Sequence, residues 1–337
     1  MLDGNADEKE ELQRSRSAVL FDAEGGCMSG GSGRLPLVAI VGPTAAGKSA
    51  LALELALTGQ AEVVSVDSRQ IFRHLDIGTA KPTAEMCAQV PHHLIDVAEP
   101  DESYDAGRFG REATAAVREI RGRGCAPILC GGSGLYLRAL AEGMPDLPEP
   151  DPILREQLKQ EADGRGDAEM HEELSSLDPG VAARVAVGDR RRVLRALEVF
   201  RQTGRPLGEW QEEHARRPRP FEVLTVVLSP SREILESRIR ERAEAMWAEG
   251  LVAETRGILD RGFSGELASL QSIGYREAQA FLRGELSEEA AIEAIVLTSR
   301  QYAKRQRTWF RGIAGAHWLE EARLPVSLQR KVLDCLG

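Results

Sequence analysis

Apolar residues along this chain switch between short unbroken runs and helical spacing, and the alternation predicts a sheet wrapped by helices. Leu37, Val38, Ala39, Ile40 and Val41 form a run with no polar interruption, the pattern of a strand buried on both faces. Residues 49–58 follow as a Leu/Ala helix closed by Gly59. Runs at 63–66, 127–130 and 223–228, with a short one at 92–96, predict the remaining strands. Residues 105–121 place Phe109, Ala113, Val117 and Ile120 on one helix face, and Gly122 and Gly124 end that helix. Further helices are predicted at 135–141, 232–248, 252–261 and 287–310.

The texture changes after Met144, where Pro145, Pro148, Pro150 and Pro152 mark a boundary. From there to about residue 220 the pattern is helical without a strand. Asp189 is placed to cap a helix with Val193, Leu197 and Phe200 facing inward and Arg191, Arg192 and Arg195 outward, and Gly204 stops it. The expected organisation is a core domain in two parts, 35–144 and 221–337, interrupted by a helical insertion domain at 145–220. Residues 1–34 are polar and then Gly/Ser-rich, which predicts a disordered tail, with Met28 as an alternative start. The fold class is α/β: a P-loop NTPase-like parallel sheet flanked by helices, with an all-helical insertion.

Candidate chemistry sits at the strand ends. Gly42, Pro43, Thr44, Ala45, Ala46, Gly47, Lys48 and Ser49 complete a G-x-x-x-x-G-K-[ST] loop between a predicted strand and a predicted helix. In that context backbone N–H groups and the helix N-terminus converge on phosphate oxygens, Lys48 adds a positive charge, and Ser49 can hold Mg2+. Asp67 follows the next strand, on the edge where open α/β sheets bind ligands, although an aspartate there can equally cap a turn. Gly131, Gly132, Ser133 and Gly134 form a second strand-to-helix junction. A phosphate loop beside a carboxylate fits a small-molecule kinase, in which the loop holds ATP. It fits equally an alkyl-diphosphate transferase, in which the loop holds the departing diphosphate.

Composition narrows the partners. The 337 residues are 42% hydrophobic, enough to bury a substantial core, and no run of about 18 apolar residues suggests a membrane span or signal peptide. A soluble cytoplasmic protein is the expectation. Cys27, Cys87, Cys125, Cys130 and Cys335 are scattered and read as free thiols, not as a zinc site. A net charge of −10 opposes general coating of nucleic acid, so any such role falls to the Arg-rich stretches at 184–219 and 300–311. In the second stretch Arg300, Lys304, Arg307 and Arg311 form one helical stripe, interleaved with Tyr302, Trp309 and Phe310. Dipole compensation and solvation with core aromatics is the favoured account of that stripe, with base stacking as the alternative.

Longer strings separate the two chemistries. GPTAAGKS (42–49), VDSRQIFRHLDIGTAKP (66–82), PHHLID (91–96), GGSGLYLRAL (131–140), RALEV (195–199), GYRE (274–277) and YAKRQRTWFR (302–311) occur in this order. Through them the chain resembles the bacterial tRNA dimethylallyltransferases, also called tRNA isopentenyltransferases, from about residue 37 to 319. The resemblance implies transfer of a dimethylallyl group from dimethylallyl diphosphate to N6 of the adenine adjacent to the anticodon, in tRNAs reading codons that start with U. It implies residues 42–49 on the diphosphate, Mg2+ at Ser49, and Asp67 as the base. Ser133, where the family usually has Thr, would orient the reacting groups, and Arg242, in an R-x-x-x-R pair with Arg238, would stabilise the diphosphate. The tRNA contacts implied are Asp67, Ser68, Arg69, Gln70, Ser133 and Arg155, then Arg191, Arg192, Val193, Leu194 and Arg195. Gln271, Ser272, Ile273, Gly274, Tyr275 and Arg276 complete the set. Phe72 and His74 depart from the commoner Tyr and Gly. The insertion would grip the anticodon stem, with the protein a monomer and no membrane involved. Adenylate isopentenyltransferase and small-molecule P-loop kinase are the alternatives.

Overall fold

A computed structural model describes residues 34–336. The expectations for the tail, Met28 and Cys27 lie outside the described residues. Six strands form one parallel sheet: β1 (Leu35–Val41), β2 (Ala61–Val66), β3 (His92–His93), β4 (Ala126–Gly131), β5 (Phe221–Leu228) and β6 (His317–Leu319), in spatial order β3-β2-β4-β1-β5-β6. The chain crosses from β1 over β4 to reach β2, and later from β4 over β1 to reach β5. Crossovers leaving in opposite directions create the crevice that ligands use at the carboxyl ends of such sheets. Register sharpens the point, because Val41 and Val66 both pair with Gly131. Three strands therefore end level, and the loops after them open side by side.

The apolar runs are explained by helices on both faces. Helices α1 (Lys48–Gly59), α2 (Ala84–Gln89), α3 (Ala106–Gly122) and α4 (Gly134–Glu142) belong to the first half of the sheet. Asp105 caps α3 by accepting from Arg108 N–H at 2.8 Å, and Phe109, Ala113, Val117 and Ile120 are buried as the spacing predicts. After β5 come α10 (Arg232–Ala248), α11 (Leu251–Asp260), α12 (Tyr275–Leu282), α13 (Glu288–Phe310) and α14 (Val326–Leu336), numbered to leave α5–α9 for the insertion. Leu328, Val332 and Leu336 of α14 pack with Leu51, Leu55, Val38, Ile40 and Ile128 in one core. Burial of each such side chain is worth about 1.5–3 kcal/mol.

By compactness the chain divides into two units, one running up to Glu142 and resuming at Pro220, the other spanning Gly143–Arg219. The second unit is helical throughout: α5 (Pro152–Arg165), α6 (Asp167–Leu177), α7 (Pro179–Ala182), α8 (Arg190–Thr203) and α9 (Leu207–Ala215). Leu158, Met170, Leu174, Val193, Leu197 and Val199 form its core. Asp189 caps α8 and Gly204 ends it in the left-handed region. Two details differ from the expected helix face. Phe200 is half-buried while Ala196 and Val199 take the interior, and Arg195 is drawn in by Glu198, a carboxylate 1% exposed. Arg155 and Arg195 both pair with Glu198, at 2.9 Å and 2.8 Å, and its Oε1 also accepts from Asp151 N–H at 3.1 Å.

Candidate active site

The loop after β1 is shaped for an anion by its backbone. Gly42 has φ of 147° and lies so close to β5 that a Cβ would stand 2.1 Å from Leu228 O, so no side chain fits there. Ala45 and Gly47 also take positive φ ahead of α1, the backbone conformation of main-chain anion-binding turns. Lys48 folds over the loop, its Nζ donating to Pro43 O at 2.7 Å. Burial lowers its pKa to about 8; Cys130 and Asp67 oppose the drop and Arg242 adds to it. The cradle thus holds a positive charge short of a counter-ion. Ser49 is exposed at the first turn of α1, beside Cys130, whose thiol burial pushes up to about 11.

Asp67 satisfies both of its sequence readings. Its Oδ1 caps a turn, accepting from Arg69 N–H at 2.8 Å and Gln70 N–H at 3.4 Å, while Oδ2 takes part in neither bond. The same residue lines a cavity of about 350 Å³ together with Thr44 and Ala45 of the phosphate loop and Arg242 of α10. One turn earlier on α10, Arg238 Nη1 donates to Ala46 O at 3.2 Å. Burial lowers the Arg242 pKa, with Asp67 acting against it. Ser68, Arg69, Gln271, Ser272, Ile273 and Arg276 complete the expected residues that meet at this cavity.

Other expected contacts fall elsewhere. Tyr275 is fully buried and Val193 is 1% exposed, so neither side chain can reach a large ligand; each was drawn inward because its helix places it on the apolar face. Leu194 packs on the core of the helical unit. Arg155 and Arg195 are already committed to Glu198, whereas Arg191 and Arg192 are exposed. Gln70 does not line the cavity: its Oε1 accepts from Ser65 Oγ at 3.0 Å and its Nε2 donates to Ala80 O at 3.0 Å. Gly274 contributes backbone, its N–H donating to Glu277 Oε2 at 2.8 Å. Ser133 lies outside the cavity lining, its N–H bonded to Val66 O, which ties the second glycine junction to the end of the strand that precedes Asp67.

Sequence reading missed several residues that complete the site. Ile239, Ala243 and Met246 of α10, with Ile295 of α13, give the cavity an apolar side. Tyr302 and Arg305 of α13 add a polar side, and burial, followed by Asp67, pushes the Tyr302 hydroxyl up to about 12. Gln306, 6% exposed, bridges the two glycine junctions: Oε1 accepts from Thr44 N–H at 2.8 Å and Nε2 donates to Gly132 O at 2.9 Å. The aromatic-basic stripe was the available signal, but it marked Arg300, which pairs with Glu236, and Phe310, which is buried.

A strand-loop-helix junction after β1, and a carboxylate and apolar side chains lining one cavity with it, mark the chain as an α/β protein with a P-loop-like fold. Among solved structures the chain resembles a full-length tRNA isopentenylpyrophosphate transferase from Bacillus halodurans, with TM-score 0.64 and 38% identity over 89% of this chain and 95% of that one. A eukaryotic dimethylallyltransferase acting on tRNA matches with TM-score 0.74 and 28% identity, over 86% and 74% of the two chains. A tRNA dimethylallyltransferase from Geobacter sulfurreducens is 45% identical over 84% of this chain and 91% of its own length. The IPP transferase family model matches residues 70–313, and the chain belongs to that family.

Proposed function

We propose that this enzyme transfers the dimethylallyl group of dimethylallyl diphosphate to N6 of the adenine adjacent to the anticodon, in tRNAs reading codons that start with U. The observation that carries the reading is that Asp67, Thr44, Ala45 and Arg242 line one cavity together. In the step, a bond forms between N6 and the allylic carbon while the carbon–oxygen bond to diphosphate breaks. The bonding pair leaves with the diphosphate, and the N6 proton passes to Asp67. An exocyclic amine is a weak nucleophile, so in-line positioning and support of the leaving charge carry most of the acceleration. Lys48, Arg242 and the N–H groups of Ala45, Gly47, Lys48 and Ser49 supply that support, and Ser133 orients the reacting groups from the second junction.

Mg2+ is the cofactor in this reading and would add charge neutralisation at the departing diphosphate. The residues fit such an ion. Ser49 and Asp67 are oxygen donors, and no cluster of three or more His, Cys, Asp or Glu able to hold a metal occurs among the described residues. Mg2+ commonly takes few protein ligands and relies on substrate phosphates and water. No described helix is long and apolar enough to cross a membrane. In this reading, which rests on the tRNA substrate, the protein acts in the cytoplasm as a monomer.

An anticodon loop presents its bases single-stranded, which keeps the cost of extruding one adenine low. Exposed Arg191 and Arg192 of α8 would bind stem phosphates. The reading is tested by offering the protein tRNA, AMP and water as acceptors, with dimethylallyl diphosphate or ATP as donor. Product on tRNA from the prenyl donor alone is expected. Turnover of AMP or release of ADP would move the chain to one of the alternative chemistries.

A further inference from the structure

Gly78 and Thr79 line the cavity together with Asp67, Ser68 and Arg69, and they contribute no charge to it. What holds that stretch of wall is a carboxylate far along the chain. Glu254 of α11 accepts from three successive backbone N–H groups: Asp76 at 3.2 Å, Ile77 at 2.9 Å and 3.1 Å, and Gly78 at 3.4 Å. Consecutive N–H groups converging on one anion form a nest, here filled by the protein's own side chain. Tyr275, fully buried on α12, donates its hydroxyl to Glu254 Oε1 and accepts from Gly78 N–H at 3.2 Å. The fit leaves no slack, since a Cβ on Gly78 would stand 2.4 Å from Cε2 of the Tyr275 ring.

The far end of the same loop is anchored separately. Gln70 Nε2 donates to Thr79 O and Ala80 O, and Lys81 Nζ reaches Asp76 Oδ1 at 2.7 Å and Phe72 O at 2.6 Å. These contacts bind carbonyls and side chains, so none replaces Glu254 at the N–H groups of residues 76–78. The Gln70 bonds also couple the loop to the Asp67 turn. With Thr79 and Ala80 fixed to that turn, release of the N–H groups of residues 76–78 would shift Gly78 relative to the carboxylate.

We infer that Glu254, clamped by Tyr275, is a positioning residue that sets the Gly78–Thr79 wall at the separation from Asp67 at which the accepting base is held. The inference rests on the proposed transfer to tRNA and assigns Glu254 no contact with substrate. A clamp of this kind acts on the acceptor side of the cavity and leaves the phosphate loop alone. Misplacing a wall by about 1 Å can cost about 10²-fold in rate.

The test combines amide hydrogen exchange over residues 76–80 with steady-state kinetics and inorganic diphosphate binding, for wild type, Glu254→Ala, Glu254→Gln and Tyr275→Phe. Glu254→Ala is expected to speed exchange at residues 76–78 and to lower kcat/KM for tRNA by about 10²-fold, with diphosphate affinity unchanged. Glu254→Gln keeps one acceptor oxygen and the side-chain shape, and should recover part of the loss. Tyr275→Phe should act in the same direction, more weakly, and add little to Glu254→Ala because both remove one contact network. Faster exchange with wild-type kcat/KM would overturn the inference. So would a fall in diphosphate affinity parallel to the fall in kcat/KM, which marks general destabilisation. Absence of transfer by the wild type would instead refute the proposed function, and unchanged exchange in Glu254→Ala would then still refute the clamp.

Discussion

Two side chains carry the argument at the residue scale. Asp67 holds its turn through Oδ1 alone, which an amide oxygen can also do. Asp67→Asn should therefore keep the fold and the RNA KM while lowering kcat by about 10² to 10⁴, the range typical of losing a general base; steady-state kinetics with tRNA in excess measure it. Lys48 gives a pH signature. Its folded pKa of about 8 lies below the ordinary lysine value, so between the two the unfolded chain binds more protons and stability of the free protein rises with pH. A diphosphate in the cradle favours the charged amine and raises that pKa. Binding should accordingly take up a proton, and affinity should fall as pH climbs above about 8. Titration calorimetry of inorganic diphosphate in buffers of different ionisation enthalpy reads the proton directly; no uptake would detach Lys48 from the cradle.

At the scale of elements, the strand-loop-helix junctions were legible and the polar braces between them were not. Apolar runs, broken only by Ser65 in β2 and Thr225 in β5 within the predicted spans, announced β1, β2, β4 and β5, and glycine at residues 42, 47, 131 and 134 announced the turns. The expected strand at 92–96 shrinks to two residues because the chain turns at once, with Leu94 and Asp96 at positive φ. Helix α12 and strand β6 are too short to impose a period, and α14 follows a weakly patterned stretch. Gln306 shows why braces escape detection: its partners, Thr44 and Gly132, are remote in sequence and its own helix reads as a charged stripe. Glu254 was missed because its partners are likewise remote, and Arg305 because the residues with which it lines the cavity are, whereas Tyr302 was named only as part of the aromatic-basic stripe. Gln306→Leu should leave Thr44 N–H and Gly132 O without a partner, costing about 1–3 kcal/mol for each group that solvent cannot reach. Denaturant unfolding of the variant checks the cost.

On the scale of the whole molecule, the boundary residues Pro145 to Pro152 and the return of a strand near 221 marked out the helical unit, whereas its individual contacts were less legible. A run of arginine reads as one surface, yet α8 turns Val193 into the core and commits Arg195 to Glu198, leaving Arg191 and Arg192 exposed. With a net charge of −10, phosphate contacts must come from such local positions, so tRNA affinity should fall steeply with added salt. The double variant Arg191→Ala/Arg192→Ala should flatten that slope by about two phosphate contacts, as measured by filter binding across a salt series. The central claim joins cradle and carboxylate in one reaction, and it is tested most directly by following a labelled prenyl group. Wild-type protein incubated with dimethylallyl diphosphate, Mg2+ and tRNA, without ATP, should place the label on one adenine beside the anticodon, found by nuclease mapping. Label absent from the RNA, or present on free nucleotide only, would contradict the account.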